Sequence, residues 1–472
     1  MRAHPAGPRH ADQLVEPLAT GAPDDVNFVD PAIWPAGLVR DSSGQLVLHG
    51  RSLSELVGTF GTPLMLLDET DFKRRAVRYR RVFGEHVFYA GKAFLTTQVA
   101  RWVDECGLGL DVATGGELAV AVRAGFPAER MLMHGNNKSV EELRAAVGAG
   151  VGRIVIDSFD EIDRLSRVCV ELGRRPRVLV RVTVGVEAHT HEYIATAHED
   201  QKFGFSLAGG AAAAAVAAVL EHPSLELIGL HSHIGSQIFD TGGFEVAAHR
   251  ALALMAQVRG AHGVELLELN LGGGLGIAYV AGDDPADVES IGVRLHEVVE
   301  RECASLGLDV PAVAVEPGRA IVGPTGVTVY EVGTVKAVEL DGGVTRRYVS
   351  VDGGMSDNIR TALYDAEYTT LLASRLSDAP AVLCRVVGKH CESGDVVVRQ
   401  AWLPADIAPG DHLVVAATGA YCRSMASTYN YVGRPPVVAV SDDAPSPRLM
   451  LRRETVDDLL ALDVGVEPVV GG

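Results

Sequence analysis

The chain has 472 residues, 47% of them hydrophobic and 22% charged, with a formal net charge of −19. At about 150 residues per domain that length implies roughly three cores, or two if one is a barrel. The acidic balance argues against a nucleic-acid partner, because phosphate binding needs a basic face. The cysteines, Cys106, Cys169, Cys303, Cys384, Cys391 and Cys422, are scattered and form no C-x-x-C pair. That argues against a structural zinc site and a disulfide framework, so no metal is expected.

In chain order, residues 1–26 are rich in Pro, Ala, His and Asp and lack the apolar core of a secretory signal; they read as a flexible tail. Residues 27–68 hold two β-type runs, Leu46–Leu48 and Pro63–Leu67. Both are expected to pair with strands near the C-terminus and so make a discontinuous β domain. Residues 69–320 then repeat one rhythm, a short apolar run followed by a helix-length segment. The runs are Val87–Ala90, Gly109–Val112, Met131–His134, Arg153–Ile156, Val178–Val182, Leu227–His231, Leu266–Leu271 and Ala312–Glu316. Eight such units predict an α/β fold of the (β/α)8 TIM-like barrel type, with a doubly wound open sheet as the alternative. Leu207–Leu220, mostly alanine, reads as a helix and is too short to span a bilayer. No membrane partner and a cytoplasmic location are expected.

After Gly318 the rhythm changes. Val327–Val332, Tyr348–Val351, Ala381–Val387, Asp395–Val398 and His412–Ala416 are β-type, with one helical insertion over Asn358–Leu376. Residues 321–463 therefore read as a mostly antiparallel β domain, and 464–472 as a tail.

A barrel enzyme places its chemistry at the C-terminal ends of its strands. Lys92 follows the first run, Asp111 lies in the second with Glu117 six residues on, and His134 ends the third. Asp157, Arg181, His231 with His233, Gly272-Gly273-Gly274 and Glu316 mark the remaining five. Polar or glycine residues at every strand end point to an enzyme. A lysine buried at a strand end has a lowered pKa, and its neutral amine can form a Schiff base with an aldehyde. The glycine run offers closely spaced backbone N–H groups to a phosphate. Glu316 can hold a proton on a pyridine nitrogen, and His233 can lie against an aromatic ring. Together these describe pyridoxal 5'-phosphate, an electron sink for a carbanion at the substrate Cα.

The motifs Tyr-Ala-Gly-Lys-Ala (89–93), Asp-Val-Ala-Thr-Gly-Gly-Glu-Leu (111–118), His-Gly-Asn-Asn-Lys (134–138) and Ala-His-Thr-His-Glu-Tyr-Ile (188–194) come in one order with five more. These are Lys-Phe-Gly-Phe (202–205), His-Ser-His-Ile-Gly-Ser-Gln (231–237), the glycines at 272–276, Glu-Pro-Gly-Arg (316–319) and Asp-Asn-Ile-Arg (357–360). Cys-Glu-Ser-Gly-Asp (391–395), then Gly-Ala-Tyr and Ser-Met-Ala-Ser within 419–427, close the series. In these stretches the chain resembles the barrel-type pyridoxal-phosphate ornithine/diaminopimelate/arginine decarboxylases, above all their diaminopimelate branch.

The resemblance implies a homodimer with shared active sites. It implies that Lys92 holds the cofactor aldehyde, that His233 stacks on the ring and that Glu316 meets the ring nitrogen. Ser236, Gly273 and Gly274 would bind phosphate with Tyr421 closing over it, and Gly318 and Arg319 would complete the cofactor set. Asp111, Glu117 and Arg181 would tune the lysine and the ring oxygen. Cys391, from the partner subunit, would donate a proton at Cα or position it. Arg319 and Arg360 suit a distal carboxylate, Glu392 a distal ammonium, and Tyr364 and Tyr421 can add contacts. The expected reaction is decarboxylation of meso-diaminopimelate to L-lysine, the last step of lysine biosynthesis. Ornithine, arginine and carboxynorspermidine are the alternative substrates. Departures from the family pattern are Thr361, where proline is frequent, and Lys389-His390, expected to add charge near the site's mouth.

Overall fold

The computed structural model describes residues 21–186, 202–340 and 345–465. The chain divides into two compact units. The first comprises Lys73–Ile277 and Asp284–Ile321; the second gathers the chain up to Phe72, Ala278–Asp283 and the chain from Val322.

The first unit is a parallel barrel. Its strands are Phe88–Ala90, Gly109–Val112, Met131–Met133, Arg153–Ile156, Arg177–Thr183, Glu226–His231, Glu268–Asn270 and Ala312–Ala314, each bonded to the next. Val87 bridges Val315 in parallel, Phe88 N donates to Val315 O at 2.9 Å and Val315 N to His86 O at 3.0 Å. The sheet therefore closes on itself, which excludes the open-sheet alternative. Phe88, Leu132, Val155, Leu179, Ile228 and Ala314 pack into one buried cluster, so the barrel is a filled core and its rim is left for chemistry.

Local sequence sets this rhythm. Thr114, Ser139 and Ser158 each follow a strand and accept a hydrogen bond from the backbone N–H of the third helical residue. Ser139 and Glu142 form a reciprocal capping box, worth about 1 kcal/mol at such a helix start. The alanine run forms a helix over Ala211–Leu220, starting after Gly210, whose φ is 75°.

In the second unit the long strand Gly326–Glu339 pairs antiparallel with Thr345–Val351, His412–Val415 and Leu64–Asp68. Leu64–Asp68 lies parallel to Val437–Val440 on its other side. A strand from before the barrel is thus built into a sheet made mostly after it. The remaining pairings are antiparallel except for Thr345–Val351 with Ala381–Val387.

Two expectations change. Leu46–Leu48 does not pair with a C-terminal strand; it forms a small sheet with Leu38–Arg40 and Arg51–Ser52. The cause is local: Asp41 Oδ1 accepts from Ser43 N at 2.8 Å and Gln45 N at 3.1 Å, fixing a turn whose short loop costs little closure entropy. The helix expected over Asn358–Leu376 shrinks to Arg360–Tyr364 and stops at Asp365, whose φ is 54°. Thr370–Leu372 beyond it is a strand against His412–Val415. Five residues cannot sustain a helix unaided, and the edge of a sheet captures the rest. The motif at 188–194, residues 1–20 and residues 466–472 lie outside the described residues. Among those described, no helix is long and apolar enough to cross a membrane.

Candidate active site

The barrel rim centres on Glu316, buried just beyond the last strand. Its Oε1 accepts from His134 Nε2 and from Asn270 Nδ2, each at 2.9 Å, and His231 Nε2 lies 3.3 Å away. The two histidine rings meet edge to face at 4.6 Å. Burial pushes the Glu316 carboxyl up, but His134 and His231 outweigh it and hold the group well below the usual carboxylate range. Burial takes His231 down to about 4, so it is neutral at pH 7. The outcome is a fixed carboxylate that keeps its charge in an apolar rim, because three donors replace the water it lost.

Asp111 stands 3.8 Å from His134 and behaves oppositely. Burial pushes its carboxyl up to about 7, against the pull of His134, and Glu316 adds to the rise. Its Oδ1 is buried without a hydrogen-bond partner among the described residues. An orphaned acceptor of this kind is expected where a ligand donor belongs. Burial also raises the half-buried Glu117, despite its bond from Ala113 N at 2.6 Å.

Lys92 stands on the turn Gly91–Ala93 after the first strand. It is exposed, which corrects the expectation of burial: the chain leaves the sheet at Ala90, and the lysine follows one residue into the turn. Its charge still acts on the rim, lowering Asp111, Glu117 and His233. His233 is held well below its usual value by burial, then by Lys92 and Arg181. Arg181 lies 3.9 Å from Asp157 and 4.5 Å above the Phe203 ring.

A second cluster flanks this one. Arg319 Nη2 donates to Ser236 Oγ at 2.9 Å, so a cation and a hydroxyl stand together. A Cβ on Gly273 would sit 2.3 Å from Glu316 O, and one on Gly274, whose φ is 109°, 2.4 Å from Gly235 O. Only glycine fits there, and its bare N–H groups suit an anion. An amine for an aldehyde, a carboxylate for a ring nitrogen and a cation–hydroxyl–glycine cradle for a phosphate fit pyridoxal phosphate.

Gly318 also lies in the barrel unit, while Arg360, Tyr364, Tyr421, Cys391 and Glu392 lie in the second unit. Arg360 is buried, with its guanidinium 5.6 Å from the Tyr279 ring, 5.8 Å from Tyr364 and 5.7 Å from Tyr421. Three ring faces stabilise the cation, Tyr368 shares a side-chain hydrogen bond with it, and its buried Nε has no partner among the described residues. Tyr421 adopts a φ of 61°. Cys391 is exposed, unlike the other cysteines, and Glu392 beside it is half-buried. His390 does not stand exposed at a mouth as expected: it is 8% exposed, and its ring is bonded to Ser356 and Asn430. Only Lys389 is exposed.

Sequence reading placed His134 and His231 on the rim without a task and missed Asn270, Tyr279 and Tyr368. Asn270 ends a strand directly before Leu271 and the glycine run, and that position was the available signal.

The model of the pyridoxal binding domain of the pyridoxal-dependent decarboxylases matches residues 69–323. The chain is 56% identical over 98% of its length to the whole of a Mycobacterium leprae protein named diaminopimelate decarboxylase. It is 58% identical over 92% of its length to 98% of the Mycobacterium tuberculosis H37Rv protein of that name. Among solved structures, diaminopimelate decarboxylase from M. jannaschii superposes with a TM-score of 0.84 at 29% identity, covering 92% of this chain and 98% of that one. The Helicobacter pylori enzyme complexed with L-lysine gives 0.77 at 28% identity, covering 87% and 98%. With a buried carboxylate–histidine centre, a phosphate cradle and an amine on one barrel rim, the chain belongs to the pyridoxal-dependent decarboxylases, in the diaminopimelate decarboxylase family.

Proposed function

We propose that the protein decarboxylates meso-diaminopimelate to L-lysine and carbon dioxide, using pyridoxal phosphate. One observation carries the substrate: likeness at 56% identity, end to end, to a relative named for it. The cofactor, when bound, supplies an electron sink for the pair left at Cα as carbon dioxide departs.

The chain's own groups do the rest. Lys92 would hold the aldehyde of the bound cofactor through its amine. Glu316, fixed by His134, Asn270 and His231, holds a proton at the ring nitrogen and so keeps the ring cationic. His233, neutral, packs on the ring face. Arg181 and the carboxyls Asp111 and Glu117 set the charge around the amine and the ring oxygen. Ser236, Arg319, Gly273, Gly274 and Gly318 hold the phosphate, and Tyr421 closes over it. Arg360 grips the distal carboxylate, with Arg319 and Tyr364 contributing, and Glu392 the distal ammonium. Cys391 delivers or orients the proton that replaces carbon dioxide at Cα. Its exposure on its own chain supports a homodimer with shared sites, and a biosynthetic role fits a cytoplasmic location.

The test is turnover by the purified, cofactor-loaded protein. Carbon dioxide and L-lysine should appear from the meso isomer, with far slower release from ornithine, arginine or carboxynorspermidine. Faster release from one of those three, with no lysine from the meso isomer, refutes the substrate assignment.

A further inference from the structure

Asp157 and the stretch Lys-Phe-Gly-Phe (202–205) have no task in the reaction above, yet the barrel brings them together at Arg181. Asp157 follows the fourth barrel strand and is buried. Its Oδ1 accepts from Gly204 N at 2.9 Å, and its Oδ2 lies 3.9 Å from Arg181 Nη1. The bond to Gly204 seats the neighbouring ring: Phe203 lies 4.5 Å from the Arg181 guanidinium carbon, and Phe203 O accepts from Thr183 Oγ1 at 2.8 Å. Phe205–Ser206 then pairs parallel with Val182 and Thr183, on the strand that carries Arg181. Gly204 has a φ of 71°, and a Cβ there would stand 2.9 Å from Arg181 O, so only glycine brings its N–H this close.

Asp157 is itself held. Its N donates to Glu161 Oε2 at 2.9 Å, and Glu161 Oε1 meets Lys138 Nζ at 2.7 Å. Lys138 is 2% exposed, and its Nζ also donates to Gly135 O at 2.6 Å and Val155 O at 2.8 Å. Desolvation cancels much of what such a buried pair contributes to stability; what remains is a fixed geometry at the ends of the third and fourth strands. Burial works against the Arg181 cation, and among the charges that favour it Asp157 comes first, ahead of Glu316 and Asp111.

We propose that Asp157 is a positioning residue for Arg181: it seats Phe203 against the guanidinium, faces the cation with its second oxygen, and so fixes where that cation stands on the rim. This rests on the place given above to Arg181, beside the ring oxygen of the cofactor. Asp157 does not itself touch the cofactor; its effect passes through Arg181.

The experiment titrates pyridoxal phosphate into the full-length, cofactor-free protein and reads Kd from visible absorbance. It compares wild type with Asp157→Ala, Asp157→Asn, Arg181→Ala and the double variant Asp157→Ala/Arg181→Ala. Asp157→Ala should raise Kd about tenfold, and Arg181→Ala at least as much. The double variant should be no worse than Arg181→Ala alone, because the two residues act as a unit. Losses that multiply overturn the proposal, as does a Kd for Asp157→Ala within about twofold of wild type.

Hydrogen exchange of the cofactor-free protein reads the same claim without the cofactor. Residues 202–206 should exchange faster in Asp157→Ala, and unchanged exchange there overturns the proposal. Asp157→Asn keeps an acceptor for Gly204 N but loses the charge that faces Arg181. Its exchange should therefore stay near wild type while its Kd rises about threefold. This milder variant keeps the claim decidable if Asp157→Ala does not fold, since a wild-type Kd in Asp157→Asn overturns it. If Arg181→Ala leaves Kd unchanged, the place given to Arg181 fails, and exchange over 202–206 still decides whether Asp157 seats the segment against it.

Discussion

The barrel rim and the loops around Arg360 solve opposite problems. On the rim, Glu316 stays charged because His134, Asn270 and His231 surround it, and the groups sit on strand ends that a filled core holds still. Around Arg360 the cation is held by aromatic faces, and Cys391 and Glu392 ride on a loop fixed by main-chain bonds and His390. The difference shows two ways to keep a charge under burial: hydrogen-bond donors hold the Glu316 carboxylate, and aromatic faces hold the Arg360 cation.

Breaking the rim should cost most. Lys92→Ala should lower kcat about 1,000-fold or more, and dialysis should strip visible absorbance from the variant but not from wild type. Glu316→Gln should retain cofactor yet lose about 100-fold in kcat, because the ring nitrogen no longer faces a charge. A loss under tenfold there would mean that the histidines supply what the carboxylate is credited with.

Breaking the loops should act on substrate choice. Arg360→Ala should lower kcat/KM for meso-diaminopimelate about 100-fold, chiefly through KM, with cofactor absorbance intact. Equal losses for ornithine, which has no distal carboxylate, would argue that Arg360 serves the fold instead.

The smallest effect is on stability. Asp111 titrates at about 7 in the fold and near 3.9 when unfolded. Its protonated form favours the folded state, and that contribution fades as pH rises from the lower value through the higher. Asp111→Asn mimics the protonated form. Relative to wild type, the variant should gain about 2 kcal/mol at pH 8 and almost nothing at pH 4. Urea unfolding of the cofactor-free protein at the two pH values measures the difference. An equal gain at both would show that the carboxyl is not desolvated.

Much of this was legible in one dimension. The eight runs set the barrel because period and length are local properties, and each run appears as a strand. Lys92, Glu316 and the glycine run were legible because a barrel exposes its strand ends to one side. Illegible were contacts between residues far apart in sequence. His134 lies 182 residues from Glu316, and Ser356 lies 34 from His390. The hairpin at Leu46 and the early stop at Asp365 also escaped, because side-chain bonds in a turn and capture by a sheet edge override propensity.

The sequence by itself determined the barrel, the chemistry of its rim and the family, since those follow from local pattern and residue type. Only the tertiary structure decided which carboxyl keeps its charge. Glu316 and Asp111 are both buried acids at strand ends, yet one is held low and the other raised to about 7. The physical reason is the count of donors each meets after giving up water.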